Sequence, residues 1–205
     1  MKSLKFSSSF VTPSKVVCIG RNYVEHIKEL HNETPDSMVV FNKPNSAISD
    51  TLFYFDDTTR FEAEICFLIQ NKKIAAVGVG LDLTKAKIQN RMKEKGLPWE
   101  RAKSFDNSAV LSEFISFNGD LSSLRLEFYL NDVLTQFANY DLMIYKPQQM
   151  LEEIESFMSL EDYDIIMSGT PKGVGNYHIG DAFLARVFSS DTLLVEARWI
   201  VEKSL

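Results

Sequence analysis

The chain has 205 residues, 45% of them apolar, which suffices for one sizeable core. Charged residues at 24% and aromatics at 12% exclude the composition of a disordered segment or a fibre. Lysine and arginine number 22 against 28 acidic residues, for a net charge of -6, and no basic block stands out; nucleic acid is therefore not an expected partner.

No apolar run approaches the roughly 20 residues that span a bilayer, and no basic amphipathic stretch suggests attachment to a membrane surface. Cys18 and Cys66 sit inside apolar runs far apart in sequence, where cysteine behaves as a small buried hydrophobe. Two such cysteines make no disulfide framework and no metal spacing, so a soluble protein of the reducing cytoplasm is expected. Without repeats or linkers, a single domain over residues 1–205 is the expectation.

In chain order, residues 15–19 read as a strand. Gly20 and a short helix over 23–30 follow, with Asn22 and Glu25 spaced as a capping box. A strand over 39–41 stops before Pro44. From Phe61 the pattern alternates: Phe61, Ala63, Ile65, Phe67 and Ile69 share one face, and Glu62, Glu64, Cys66 and Leu68 share the other, as in a half-buried strand. Asn71-Lys72 makes a tight turn, and the apolar run 74–81 returns antiparallel until Asp82. Residues 84–95 read as a helix with Ala86, Ile88 and Met92 inside, closed by Gly96 and Pro98. A second helix over 147–158 starts with Pro147 in its favoured first-turn place. Strands are expected over 125–130, 164–167, 183–187 and 192–201, the last with Leu193, Val195, Ala197, Trp199 and Val201 facing inward. With few helices between the strands, the fold class is α+β, mostly β, with largely antiparallel sheets rather than a doubly wound parallel one.

Four features bear on chemistry. Glu62 and Glu64, two apart on a strand, put their carboxylates on one face about 7 Å apart. A hairpin turning at Asn71-Lys72 sets Asp82 opposite Phe61 or Glu62, so three carboxylates can converge. Three hard oxygen ligands with open positions describe a Mg²⁺ or Mn²⁺ site, although a solvated sheet face carries the same alternation. His26 and Glu29 lie three apart on one helix face, where the carboxylate can orient the imidazole as a water-activating base; an exposed pair has the same spacing. The loop from Gly169 to Gly175 has glycines that let backbone N–H groups approach an anion or simply make a tight connection, and it lacks the Walker order. Lys43 and Lys103 lie in apolar surroundings where an ammonium can meet a substrate oxyanion, while surface lysines remain the commoner case.

Taken in order, a set of motifs resembles the fumarylacetoacetate hydrolase family, in particular its small single-domain, acylpyruvase-like members. The set starts with Gly20-Arg21-Asn22-Tyr23 plus His26 and Glu29, then Phe41-x-Lys43-Pro44, Glu62-x-Glu64 and Asp82-x-Thr84 with Gln89. It continues through Lys95-Gly96-Leu97-Pro98-Trp99 and Ala102-Lys103-Ser104-Phe105-Asp106 to Ser168-Gly169-Thr170-Pro171-Lys172-Gly173-Val174-Gly175. The resemblance implies a mixed β-sandwich roll that forms a homodimer. It also implies Mg²⁺ or Mn²⁺, with Ca²⁺ as a crystallisation substitute, held by Glu62, Glu64 and Asp82. Lys103, Gln89 and Thr170 would contact substrate, Arg21 and Lys43 would line the pocket, and His26 with Glu29 would act from a lid helix over about residues 22–31. Two departures stand out. Ala86 replaces the arginine usual in related chains, and the segment between Glu64 and Asp82 is short enough to leave only a hairpin.

By that likeness the expected activity is divalent-metal-dependent hydrolysis of a carbon–carbon bond in an acylpyruvate-like 2,4-dioxo acid. The same stabilisation of an enolate also serves oxaloacetate decarboxylation or tautomerisation and isomerisation of unsaturated 2-oxo diacids. A non-catalytic module that binds a cation and 2-oxo acids is the alternative from a different class.

Overall fold

The computed structural model describes residues 1–30 and 35–203. The expected end of the lid helix at residue 31, and His31, lie outside the described residues. Most of the described chain is strand, arranged as a large sheet facing a four-stranded antiparallel one. Along the large sheet the order is Val39–Pro44, Lys15–Gly20, Ile165–Met167, Ala63–Gln70, Lys73–Asp82, Ala109–Leu111 and Ile48–Ser49, with Ile115–Ser116 also paired to Lys73–Asp82. The four-stranded sheet runs Val133–Asn139, Leu124–Leu130, Ala182–Ser189, Thr192–Ile200. Only a few pairs, such as Ile165–Met167 with Lys15–Gly20, are parallel.

The core explains this layering. Ala63, Ile65, Phe67 and Ile69 point toward the four-stranded sheet and pack with Leu126, Phe128, Phe183 and Val187. Phe61, Phe128 and Phe183 have their ring centroids 5.1 Å apart pairwise, in tilted and edge-on contacts that aromatic quadrupoles favour. The opposite face of the large sheet carries a second cluster: Val16, Cys18, Cys66, Leu68, Ile165 and Met167, closed by Phe114 and by Leu4 and Val11 from an N-terminal hairpin. The strand Ala63–Gln70 is thus buried on both faces, and the half-buried expectation is corrected; a central strand between two apolar layers has no solvent side. Both cysteines are buried and free. Among the described residues, no helix is long and apolar enough to cross a membrane.

The hairpin register is the fold's main contribution to function. Asn71 and Lys72 both adopt positive φ (51° and 58°), the left-handed pair that a two-residue hairpin turn requires. A shift between Leu68 and Ile69 then aligns Ala63 with Leu81 and Glu64 with Gly80, and the Asp82 N–H donates to the Glu62 carbonyl at 2.9 Å.

Other expectations shift. The helix is Val24–Glu29 and has no side-chain cap; Asn22 is no capping residue, because its amide donates to the carbonyls of Ser168 and Tyr145 and its oxygen accepts the Tyr145 N–H at 2.7 Å. On the helix Ala86–Glu94 the buried side chains are Ala86, Gln89 and Met92, whereas Ile88 is half-exposed. Leu193 faces solvent because a bulge at Val187/Phe188 breaks the alternation beyond Val195. The strand Val133–Asn139 was not expected, although Asn131 and Asp132 carry the positive φ values of a hairpin turn after Leu130.

Candidate metal centre and active site

Adjacent strands of the hairpin deliver three carboxylates to one point. Ligand oxygens of Glu62, Glu64 and Asp82 lie within 4.8 Å of one another, and all three residues are buried. Such a cluster needs positive charge, and two lysines supply part of it. Lys103 Nζ donates to Glu62 Oε2 (2.8 Å), Asp82 Oδ2 (2.6 Å) and Thr84 Oγ1 (2.6 Å), and Thr84 Oγ1 donates to Glu62 Oε1 at 2.8 Å. Lys43, fully buried, stands behind Asp82: its Nζ lies 2.8 Å from Asp82 Oδ1 and donates to the Lys103 and Leu83 carbonyls and to Ser108 Oγ.

The two glutamates respond oppositely. Burial works against charge on Glu62, but Lys103, His26 and Thr84 outweigh it and hold its carboxyl down to about 2. Burial, reinforced by the charges of Asp82 and Glu62, pushes Glu64 well above its ordinary range despite the Gly169 N–H donated to its Oε2 at 2.7 Å. For Lys103, burial opposes the charge, yet Asp82 and Glu62 raise its pKa, so it stays an ammonium.

The residues present fit a divalent cation. The donor set is three carboxylates, the chemistry of Mg²⁺, Mn²⁺ or Ca²⁺ rather than of a thiolate- or imidazole-preferring metal. Asp82 Oδ1 is buried and makes no aligned hydrogen bond, its one close cation being the Lys43 ammonium at 2.8 Å among the described residues. Three buried carboxylates against two lysines, with Glu64 held up by its anionic neighbours, are what a cation would satisfy.

Around this cluster is a cavity of about 30 Å³, room for an ion with one or two waters. Arg21, His26, Gln89, Lys93, Trp99 and Thr170 complete its wall with Ile19, Gly20, Leu30 and Phe41. Arg21 has a left-handed backbone (φ 55°), rare for a long side chain and a mark of local constraint beside the cavity. His26 is buried on the cavity side of its helix, and its Nδ1 is 3.2 Å from Glu29 Oε2. With Nδ1–H turned to that carboxylate, Nε2 is the basic nitrogen. Glu29 is fixed in turn by the Gly173 N–H, which donates to its Oε1 at 2.9 Å.

The structure thus gathers Glu62, Glu64, Asp82, Lys103, His26, Arg21, Gln89 and Thr170 at one cavity, with Glu29 directly behind His26. Lys43 is not on the wall; it braces Asp82 from the protein side, so the expectation that it lines the pocket is corrected. The glycine loop does bring backbone N–H groups to anions. Its amides serve the protein's own anions, Gly169 for Glu64 and Gly173 for Glu29. Sequence reasoning missed Gln136, a buried amide on the other sheet. Its oxygen accepts the Ala63 N–H (2.9 Å) and its nitrogen donates to Thr170 Oγ1 (2.8 Å) and the Pro171 carbonyl (2.9 Å), locking the two sheets together beside Glu62 and Glu64. Lys93 and Trp99 were also missed as wall residues.

Comparison with known proteins agrees with this architecture. The chain is 38% identical over 187 residues to oxaloacetate tautomerase YcgM of Escherichia coli, covering 82% of this chain and 85% of that one. It is 34% identical to the mitochondrial oxaloacetate tautomerase oaa1 of Schizosaccharomyces pombe, over 86% and 89% of the two chains. Among solved structures, fumarylpyruvate hydrolase from Pseudomonas aeruginosa in complex with Mn²⁺ and pyruvate superposes with a TM-score of 0.89 at 25% identity, covering 99% of this chain and 96% of that one. Residues 15–202 match the fumarylacetoacetate (FAA) hydrolase C-terminal family model, and with these relatives that match makes the chain an enzyme of the fumarylacetoacetate hydrolase family.

Proposed function

We propose that this enzyme interconverts the keto and enol forms of oxaloacetate with a divalent cation, Mg²⁺ or Mn²⁺, at Glu62, Glu64 and Asp82. The observation that carries this reading over carbon–carbon hydrolysis is the 38% identity, across most of both chains, to an oxaloacetate tautomerase. A cation in this site supplies Lewis-acid stabilisation of the negative charge that appears on the 2-oxo oxygen.

The chain's own residues do the rest. Lys103, kept as an ammonium beside Glu62 and Asp82, adds a fixed positive charge where that oxygen becomes anionic. His26, with Nδ1 turned to Glu29, presents Nε2 to take a proton from C3 of the keto acid; Glu29 stabilises the imidazolium that results. Protonation of the enolate oxygen then yields the enol, and the reverse sequence returns the ketone. Gln89 offers an amide on the cavity wall for the substrate carboxylate, whereas the Thr170 hydroxyl, also on the wall, donates to the Ala63 carbonyl and accepts from Gln136.

Hydrolysis of an acylpyruvate is the second reading. It is favoured by the same His26–Glu29 pair, which can activate water, and by the likeness to a fumarylpyruvate hydrolase. The test is a parallel assay with Mg²⁺, Mn²⁺ or chelator, following enol absorbance of oxaloacetate and disappearance of acetylpyruvate. Tautomerisation well above the buffer rate, lost with chelator and with His26→Ala, supports the proposal. Cleavage of acetylpyruvate with oxaloacetate left at its buffer rate overturns it.

A further inference from the structure

We infer that Gln136 is a positioning residue for the reaction: from the opposite sheet it clamps the loop that holds both the cation ligand Glu64 and the base partner Glu29, and so fixes how far the base stands from the cation. This deepens the function proposed above and rests on it for His26 as the base.

The clamp begins where a sheet ladder ends. Ala63 lies between Glu62 and Glu64, and the neighbouring strand Ile165–Met167 pairs with this strand only as far as Cys66. Side chains take both backbone groups of Ala63 instead: its N–H donates to Gln136 Oε1 (2.9 Å) and its carbonyl accepts from Thr170 Oγ1 (3.0 Å). Gln136 Nε2 donates to Thr170 Oγ1 at 2.8 Å, which closes a ring of three hydrogen bonds, and its other proton goes to the Pro171 carbonyl at 2.9 Å. The amide has one orientation here, because a backbone N–H only donates and a carbonyl only accepts. A bulge at Thr135, between the pairs Phe128–Gln136 and Tyr129–Leu134, turns Gln136 inward, where it is buried.

On either side of the clamped Thr170-Pro171 pair the loop meets a functional carboxylate. Before it, the Gly169 N–H donates to Glu64 Oε2 at 2.7 Å; after it, the Gly173 N–H donates to Glu29 Oε1 at 2.9 Å, and Glu29 Oε2 is 3.2 Å from His26 Nδ1. Gly173 also rests on the stem of Gln136, since a Cβ built there would stand 3.2 Å from Gln136 Cγ. One short loop therefore joins the cation ligand to the base, and one amide ties its middle to the facing sheet. A 2-oxo acid held by the cation must bring C3 to His26 Nε2, so this spacing acts on turnover more than on binding. A misplacement of about 1 Å there can cost about 10²-fold in rate.

The test compares Gln136→Met, which keeps the side-chain length and removes the amide, with Val187→Ala, a deletion at a fully buried position two strands away in the same sheet. Amide hydrogen exchange at Gly169 and Gly173 is read by NMR on the cation-free protein, far below melting, and steady-state kinetics with oxaloacetate are read at saturating Mn²⁺. Gln136→Met should speed exchange at both amides about tenfold, the loss expected when hydrogen bonds of this kind are no longer held. It should lower kcat and kcat/KM together by about tenfold or more. Val187→Ala should also melt lower, yet leave both amides within about twofold of wild type. Thr170→Val removes one link of the ring at constant shape and should speed exchange in the same direction, whereas Thr170→Ser should keep the protection; this pair decides the matter if Gln136→Met does not fold. Exchange unchanged in Gln136→Met, or sped equally by Val187→Ala, overturns the inference, as does oxaloacetate tautomerisation with kcat unaltered by Gln136→Met. Because exchange is read without turnover, loosened amides in a protein inert toward oxaloacetate uphold the clamp and reject the proposed activity.

Discussion

Gly173→Ala is the substitution by which the link between a backbone turn and the base can be measured. Gly173 has φ 100°, and a Cβ built there would stand 2.1 Å from the carbonyl oxygen of Thr135, on the strand Val133–Asn139. Side chains at such φ cost about 1–3 kcal/mol. The contact is also about 1 Å closer than real Cβ atoms come to backbone, so the loop, or the bulge at which Thr135 sits on its edge strand, must shift by about that distance. Its N–H is the donor that fixes Glu29, which orients His26. A shift of this size at a positioning group can cost about 10²-fold in rate. Gly180→Ala is the matched control: φ is 88°, with nothing within 4 Å of the added atom, so strain is present without the clash and far from His26. Both variants should lose thermal stability, at about 2–4 °C per kcal/mol for a chain of this size. Only Gly173→Ala should lose kcat, with cation affinity unchanged because Glu62, Glu64 and Asp82 lie on other elements. Melting curves plus steady-state kinetics on both proteins decide the matter. Equal activity in the two variants would refute the idea that the loop amide positions the base.

Three further outcomes are expected. Glu64→Gln removes one of the three cation ligands, so the gain on adding Mn²⁺ at 100 times its Kd, about 2.7 kcal/mol in wild type, should largely disappear; an unchanged gain excludes Glu64 as a ligand. The buried Asp164 carboxylate accepts from Ser14 N–H and Oγ–H, Lys15 N–H and Nζ, and the Glu161 N–H, and although burial opposes its charge these donors hold its pKa below the ordinary value. The unfolded chain then binds the extra proton, so this stabilisation is present above the ordinary carboxylate range and is lost as pH falls through and below it; Asp164→Asn, which keeps one acceptor oxygen but loses the ion pair to the partly exposed Lys15, should cost about 1.5–3 kcal/mol at pH 7 and flatten the acid side of a urea-midpoint profile. Gln136→Leu leaves the Ala63 N–H without its acceptor and Thr170 without its donor, at about 1–3 kcal/mol for each buried group, and a melting temperature within 1 °C of wild type rules this out.

What was legible in the sequence was whatever local rules decide. The Asn71-Lys72 turn fixes a register and the register carries Asp82 to Glu62, so the meeting of three carboxylates follows from spacing, while their reading as cation ligands rather than a solvated face came with the family resemblance. His26 and Glu29 follow from a helix period in the same way. What was not legible depends on packing between distant segments. Asn22 sits where a cap belongs, but Tyr145 and Ser168, far along the chain, offer its amide three hydrogen bonds and win the competition. The orientation of Lys43 is likewise set by which side of Asp82 the strand Val39–Pro44 lies on, a matter of sheet order and not of neighbouring residues. Gln136 gave no signal, because one amide in a short strand acquires meaning only when the facing sheet brings Ala63 and Thr170 to it.

The charges of the site impose a sequence on binding. With Glu62, Glu64 and Asp82 ionised, the ammonium groups of Lys43 and Lys103 leave one negative charge in excess, in surroundings where water screens little. A keto diacid approaching that cluster meets like charge, although Arg21 and Lys93 stand on the wall. A divalent cation turns the excess to one positive charge, and the cluster then attracts the dianion it had repelled. Cation and diacid therefore favour each other's binding, and reciprocity requires the diacid to tighten the cation by the same factor. The low Glu62 pKa and raised Glu64 pKa are two sides of this balance. Lys103 serves Glu62, and Glu64, with one amide and no lysine within bonding distance among the described residues, is the carboxylate whose charge most needs the ion.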